Sequence, residues 1–303
     1  MKLIIFQTIM LFGLFWVGLS ANDAVSYMET LRRTRQANSI VESQILVMPT
    51  EQLINQLAPY YSDTMALIRQ KAYHLTFRSG IGSDLNSERN IAIRRLLDGV
   101  NDRDGGIVGQ TLRFLQQFSR NDFDDEAKSF ISGIISQTRI PHYRELVLLA
   151  GYVGAGMEEL EELFLDADLS QSHRWQISLA LARMGDASQT AYIVNLVKRL
   201  PVNNDLTEYV LPDLIYTRKR EAIDYCVELL FIDDKNCESH HPDISEKISC
   251  AWMILPLLAN VIADIPVTID ASGDIAGDYQ KALQDSRNWL LENKEYEILD
   301  ISF

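Results

Sequence analysis

Three cysteines and five histidines are the residues of this chain whose chemistry suits metal or redox sites. Cys237, His241 and Cys250 lie in one polar stretch and are a candidate ligand set for zinc. Their spacing, Cys-x2-His-His-x8-Cys, matches no common zinc finger, because structural zinc sites use clean pairs of ligands. We therefore expect cysteines that are either inert or disulfide-bonded, with Cys237 and Cys250 as the candidate disulfide pair and Cys226 as an ordinary buried thiol, and no metal or other cofactor.

Two histidines recur at the same helical phase, and two aromatic residues lie near the starts of the same successive helices. His142 and His173 are followed by Tyr143 and Trp175, and such side chains could line a groove or form a binding ridge. We favour the simpler interpretation, in which the histidines cap the first turns of helices and the aromatic rings pack between neighbouring helices.

Carboxylates are abundant, but no pair stands out as a general acid and base. The chain contains no glycine-rich phosphate loop, nucleophile elbow or His-Glu-x-x-His pattern. The run Asp-Arg-Asp-Gly-Gly at 102–106 resembles the start of a calcium loop, yet it lacks the remaining ligands and the closing glutamate. We predict a turn there, and no catalytic residue anywhere in the chain.

The sequence contains an internal repeat. Residues 142–154 align with residues 173–185, so that Leu146 matches Ile177 and both stretches end in glycine. Self-similarity at a fixed offset indicates a repeat array. Apolar residues elsewhere recur at the helical period, and no segment alternates in the manner of a strand.

The apolar stripes predict five helical hairpins, preceded by one or two helices and followed by an irregular tail. The predicted hairpins are 63–78 with 88–100, 106–118 with 123–136, 142–153 with 157–165, 172–184 with 188–200, and 205–217 with 219–231. The N-terminal helices fall within 23–47 and 50–61. The tail is predicted as one long apolar helix over 245–263, kinked at Pro256, and a final helix over about 278–293.

Residues that start and stop helices support these boundaries. Gly154 and Gly185 follow apolar stripes, as C-terminal cap glycines do. Asp205 and Asp243 each precede a glutamate by three positions, a variant of the capping box. Pro141 suits a first helical position.

The repeated stretch resembles HEAT-like or armadillo-like helical repeats. The resemblance covers residues 142–200 best and rests on the Leu/Ala-rich first helix, the Gly-Asp turn at 185–186 and the short apolar second helix at 189–200. It implies an all-α fold, a right-handed superhelix of antiparallel hairpins with a concave interaction surface, and no chemistry. Some HEAT-like families are hydroxylases or lyases, which makes an enzyme the alternative. The His-Glu dipeptides of those hydroxylases are absent here.

The first residues have the pattern of a secretory signal peptide. Lys2 precedes an apolar run from Leu3 to Leu19, and small residues follow, with cleavage expected after Ser20 or Ala21. Export would place the protein in the periplasm or outside the cell, whereas an uncleaved segment would tether it to the membrane. The predicted organisation is a signal peptide at 1–20 and one helical-repeat domain at 22–303, with irregular helices at 23–61, repeats at 63–231 and a cap at 243–303.

The acidic balance restricts the partners. The formal net charge is −14, so the field of the protein repels nucleic acid and anionic membranes. We predict a non-enzymatic scaffold that binds another protein or a peptide through the second helices of its hairpins. The predicted contact residues are Lys128, Glu158, Glu162, Gln189, Lys198, Glu221 and Glu228.

Overall fold

A computed structural model describes residues 23–239, 246–300 and 303, and most of these residues are helical. The prediction of a mainly α-helical chain with little strand is confirmed. The predicted signal peptide lies outside the described residues. Within them, no helix is long and apolar enough to cross a membrane. The helices are α1 (Ala24–Thr34), α2 (Ser39–Ile45), α3 (Thr50–Leu57), α4 (Ala66–Ile81), α5 (Asn86–Asp98), α6 (Gly105–Leu115), α7 (Asp125–Ile134), α8 (Tyr143–Val153), α9 (Met157–Phe164), α10 (Gln171–Met184), α11 (Ala187–Val197), α12 (Leu211–Tyr216), α13 (Arg220–Leu230), α14 (Ala251–Ala259) and α15 (Tyr279–Glu292).

The helices from α4 to α13 pack in chain order. Helix α8 lies against both α6 and α10, and α10 continues the row by contacting α12. On the other side of the hairpins, α5 contacts α7 and α11 contacts α13. Short helices such as these are marginal alone, so burial of their apolar stripes against neighbours holds them. Leu148, Ile177 and Leu179 are buried, whereas Val227 on α13 is only half-buried.

Glycine and aspartate set the central helix ends. Gly154 and Gly185, directly after α8 and α10, adopt φ values of +71° and +116°, a region that side chains with a Cβ disfavour. Asp186 then caps α11 by accepting hydrogen bonds from the backbone nitrogens of Ser188 and Gln189 at 2.8 and 3.1 Å. The predicted turn at 185–186 is therefore present.

Two predicted helix starts are wrong. Asp205 lies inside a helical segment, with φ −58° and ψ −41°, and its side chain caps nothing. The cap is Asn203, whose Oδ1 accepts from the backbone nitrogen of Leu206 at 3.1 Å, and a π-helical turn over Leu206–Val210 leads into α12. Pro141 precedes the first helical turn, because His142 adopts φ +59° and α8 begins at Tyr143. The other proposed cap, Asp243, lies outside the described residues.

The C-terminal part departs most from the predicted helices. Helix α14 is shorter than the predicted helix over 245–263, because Lys247–Ile248 (β2) pairs antiparallel with Cys237–Glu238 (β1) and removes its first turns. In the register, Cys237 faces Ile248. Pro256 lies inside α14, as predicted. After the helix, Ile262 pairs with Ile298 in an isolated bridge that brings the last residues alongside the array.

Candidate functional site

Basic side chains converge where the hairpins turn. Arg183 lies in the last turn of α10, Arg218 follows α12, and Arg120 lies in a short 3-10 turn between α6 and α7. Tyr152 and Tyr216, near the ends of α8 and α12, lie between them. We call the surface formed by these five residues the cationic groove.

Arg183 forms the floor of the cationic groove. Its side chain is only 2% exposed, and its guanidinium lies 5.5 Å from the ring centre of Tyr152 and 5.3 Å from that of Tyr216. It also donates a hydrogen bond to the backbone oxygen of Tyr216. Burial lowers the pKa of Arg183, since the charged form loses water. Aromatic faces stabilise such a desolvated cation.

Two further basic side chains, those of Arg218 and Lys219, lie close enough to Arg183 to be affected by its charge. Burial, together with the charge of Arg183, lowers the pKa of Arg218 to about 10. Burial also lowers the pKa of Lys219. Arg218 donates from Nη1 to the backbone oxygen of Ile215 at 2.6 Å, while its buried Nε has no hydrogen-bond partner among the described residues. The groove therefore holds like charges close together.

The distal end of the chain enters this groove. Asp300 accepts hydrogen bonds from Arg183 at 2.6 Å and from Arg120 at 2.7 Å. The ring of Phe303 lies 5.6 Å from Tyr152 and 5.5 Å from Tyr216. A carboxylate and an aromatic ring three positions later thus occupy the cationic groove.

A cavity of about 400 Å³ adjoins the two arginines that hold Asp300. Arg120 and Arg183 line it together with Lys128 and Met157. Lys128 is one of the residues predicted to contact a partner, so the structure places that residue beside the cationic groove.

Comparison with known proteins adds no relative. The chain matches no protein-family model, no curated protein and no solved structure. Its function must therefore be inferred from its own residues.

The other predicted contact residues lie apart from the cationic groove. Lys198 and Glu228 form an ion pair with each other at 3.6 Å. Glu158, Glu162 and Glu221 are exposed, and the Oε1 atom of Gln189 is buried without a hydrogen-bond partner among the described residues. Binding by this acidic surface stays a prediction.

The cationic groove was not predicted from the sequence. One local signal was available: Arg218, Lys219 and Arg220 form a basic run in an acidic chain. The pairing of Arg183 with Asp300 joins residues 117 positions apart, and no spacing rule connects them.

Three of the histidines and aromatic residues singled out above contact neighbouring side chains or backbone. Tyr143 donates from its hydroxyl to the backbone oxygen of Ile135 at 2.8 Å, and its ring lies 4.9 Å from that of His173. Trp175 donates to Asp213 at 2.6 Å. The predicted capping roles of the histidines are wrong. The side chain of His142 makes no cap hydrogen bond, and Ser170 caps the helix that contains His173.

The cysteines have separate environments. Cys237 and Cys250 form a disulfide, and Cys226 is a buried free thiol whose pKa burial raises to about 12. The third proposed zinc ligand, His241, lies outside the described residues. Within them, no group of three or more His, Cys, Asp or Glu residues could hold a metal ion.

We expect the purified protein to contain no stoichiometric zinc and to keep its melting temperature after chelation. Zinc binds the thiolate form of cysteine, which the Cys237–Cys250 disulfide does not offer. Elemental analysis and a thermal melt with and without chelator test this. One zinc per chain that is lost in Cys237→Ser would contradict the prediction.

Proposed function

We propose that this chain is an exported, non-enzymatic helical-repeat scaffold that binds a protein or peptide segment in extended form. In this proposal the hairpins from α4 to α13 stack as a HEAT-like superhelix, which the side-by-side contacts of α6, α8, α10 and α12 support. The signal-peptide pattern at residues 1–20 supports export.

The observation that carries the proposal is the occupied cationic groove. The groove crosses the ends of several helices and holds a chain segment that approaches in extended form. The backbone nitrogen of Leu299 donates to Val261 at 2.8 Å, and that of Ala263 donates to Glu297 at 3.0 Å. Arginine and tyrosine, which form the groove, are enriched among the residues that dominate binding energy at protein interfaces.

Selection of random displayed peptides on the exported protein tests the proposal. We expect binders whose affinity falls about tenfold in Arg120→Glu, a loss of about 1.4 kcal/mol, because this half-exposed arginine faces both the groove and the adjoining cavity. Their association should slow with added salt. Lys281→Glu, which changes an exposed lysine of α15, is the matched control.

The acidic surface is tested in the same assay. Reversing Glu158, Glu162 and Glu228 together should abolish capture only of partners that bind the second helices. If no selected peptide responds to Arg120→Glu or to the triple change, the scaffold proposal is wrong for both surfaces.

A further inference from the structure

We propose that the cationic groove is a binding site for segments in which a carboxylate precedes an aromatic ring by three positions. Asp300 and Phe303 are then the chain's own copy of this ligand, held in the site within the same molecule. This inference rests on the proposed function and specifies the ligand class.

The charge balance of the cationic groove favours an anionic ligand. Among the described residues, Arg120, Arg183 and Arg218, with Lys219 beside them, face one side-chain carboxylate in contact, that of Asp300. Glu221 acts on Lys219 as well, but it is exposed on α13. A purely structural ion pair would need one arginine for one carboxylate. The excess of cations, in a chain of net charge −14, costs desolvation and repulsion unless further negative charge arrives.

The aromatic half of the site is built before any ligand enters. The hydroxyl of Tyr216 donates to the backbone oxygen of Leu148 at 2.6 Å, and that of Tyr152 donates to the backbone oxygen of Phe118 at 3.3 Å. These bonds hold the hydroxyl ends of both rings, whose centres lie 5.6 and 5.5 Å from that of Phe303. Rings held in place lose little conformational entropy when a ligand binds.

The segment that occupies the groove is more exposed to solvent than the arginine beneath it. The side chain of Asp300 is 39% exposed, whereas that of its partner Arg183 is 2% exposed. Phe303 is half-buried, and the backbone oxygen of Phe303 lies 3.5 Å from Nη2 of Arg218. The arginine belongs to the core of the array, while the segment that covers it belongs to the surface. A segment held in this way can exchange with a competing ligand.

The adjoining cavity indicates what a better ligand would carry. Arg120, Arg183 and Lys128 line it, whereas Asp300 does not. A ligand with a second carboxylate next to the first would place it near Lys128. An external ligand must also compete with the tethered segment, whose effective concentration is on the order of millimolar for a short link.

A labelled synthetic peptide with the sequence from Tyr296 to Phe303 tests the inference by fluorescence anisotropy. We expect the full chain carrying Asp300→Asn and Phe303→Ala to bind this peptide at least about tenfold more tightly than the unaltered chain. Adding Arg120→Gln to that variant should remove about the same factor. Adding Lys281→Gln should change nothing, because that lysine is exposed on α15. A peptide with Asn and Ala at the two key positions should not bind.

Failure of the peptide to bind the folded double variant would overturn the inference, since Asp300 and Phe303 would then only pack. Circular dichroism and a thermal melt establish that the variant is folded. If it is not, Asp300→Asn alone carries the test, with the same expected direction and the same overturning result. If selected random peptides bind the groove but this peptide does not, the ligand class is wrong while the scaffold proposal stands.

Discussion

Replacing Arg69 by methionine should lower the free energy of unfolding by about 3–5 kcal/mol at neutral pH. Arg69 and Asp102 form a two-pronged ion pair at 2.7 and 2.8 Å, and both side chains are only 4% exposed. Arg69 also donates to the backbone oxygen of Asp63 at 2.8 Å. Its removal leaves a buried carboxylate without a cation. Urea unfolding followed by circular dichroism measures the difference.

The pH dependence identifies the cause of this loss. Burial raises the pKa of Asp102, but the hydrogen bonds and charge of Arg69, the backbone N–H of Asp104 and the charge of Arg103 together outweigh burial and hold the pKa below its ordinary value. A carboxylate whose pKa is lower in the folded than in the unfolded state stabilises the fold at pH values above the unfolded-state pKa. This contribution is lost as the pH falls through the folded-state pKa. The deficit of Arg69→Met should therefore narrow as the pH falls toward about 4, where carboxylates begin to take up protons.

Two controls accompany this variant. Asp102→Asn in the Arg69→Met background should recover part of the loss, because no unpaired charge then remains buried. Lys281→Met breaks an exposed ion pair with Asp285 and should leave the midpoint unchanged. An Arg69→Met deficit that is the same at every pH would show that lost packing, rather than the unpaired carboxylate, causes it.

The Arg69–Asp102 pair also shows what the sequence could not give. The run at 102–106 predicted a turn, and the structure has one, in which Asp104 caps α6 by accepting from the backbone nitrogen of Gly106 at 2.8 Å. Capping depends on residues a few positions apart. The partner of Asp102 lies 33 positions away in another hairpin, and it is set by the packing of α4 against α6.

The periodicity of apolar residues predicted the helix boundaries better than the capping residues did. The apolar stripes placed α8 and α10 within one residue of their observed ends, because each is a largely buried apolar helix that ends at a glycine. The prediction of a helix cap at Asp205 was wrong, because Asn203, two positions earlier, also offers a side-chain oxygen and accepts the capping hydrogen bond from Leu206. The helix predicted over 245–263 is shorter in the structure, because an apolar run does not reveal that Lys247 and Ile248 pair as a strand.

The predicted acidic contact surface and the cationic groove differ in the sign of their charge. The overall acidic balance drew attention to Glu158, Glu162 and Glu228, which are exposed along their helices. The converging set is basic and lies at helix ends, where side chains from three hairpins meet the distal segment. Net charge describes the average field of a protein, whereas a groove depends on the few side chains that meet there.

Small residues of α8 and α10, by contrast, have a direct structural use. An added Cβ at Gly151 on α8 would lie 2.7 Å from the Cα of Ala180 on α10 and 2.4 Å from the hydroxyl oxygen of Tyr216. The two helices are therefore as close as their backbones allow at this point. The large apolar residues around this contact must fill the remaining space closely, and Leu179 is one of them.

Replacing Leu179 by alanine should lower the free energy of unfolding by about 2–5 kcal/mol. Leu179 is fully buried in the middle of α10, the helix that contacts α8, α9, α11 and α12. Its neighbours are held by several helices at once, so they cannot all move to fill the cavity that alanine leaves. Because alanine is a good helix former, the loss reflects packing rather than helix propensity. Urea unfolding and a thermal melt both measure it.

Leu291→Ala is the matched control, because it makes the same chemical change in α15 at a leucine that is 60% exposed. It removes little buried surface, so its unfolding midpoint should stay close to that of the unaltered chain. A stability for Leu179→Ala equal to that of the control would mean that α10 does not occupy the centre of the packed helices in solution. The Leu179→Ala variant should also bind the Tyr296–Phe303 peptide less tightly, since the last turn of α10 carries Arg183 and a loosened helix cannot hold that arginine between Tyr152 and Tyr216.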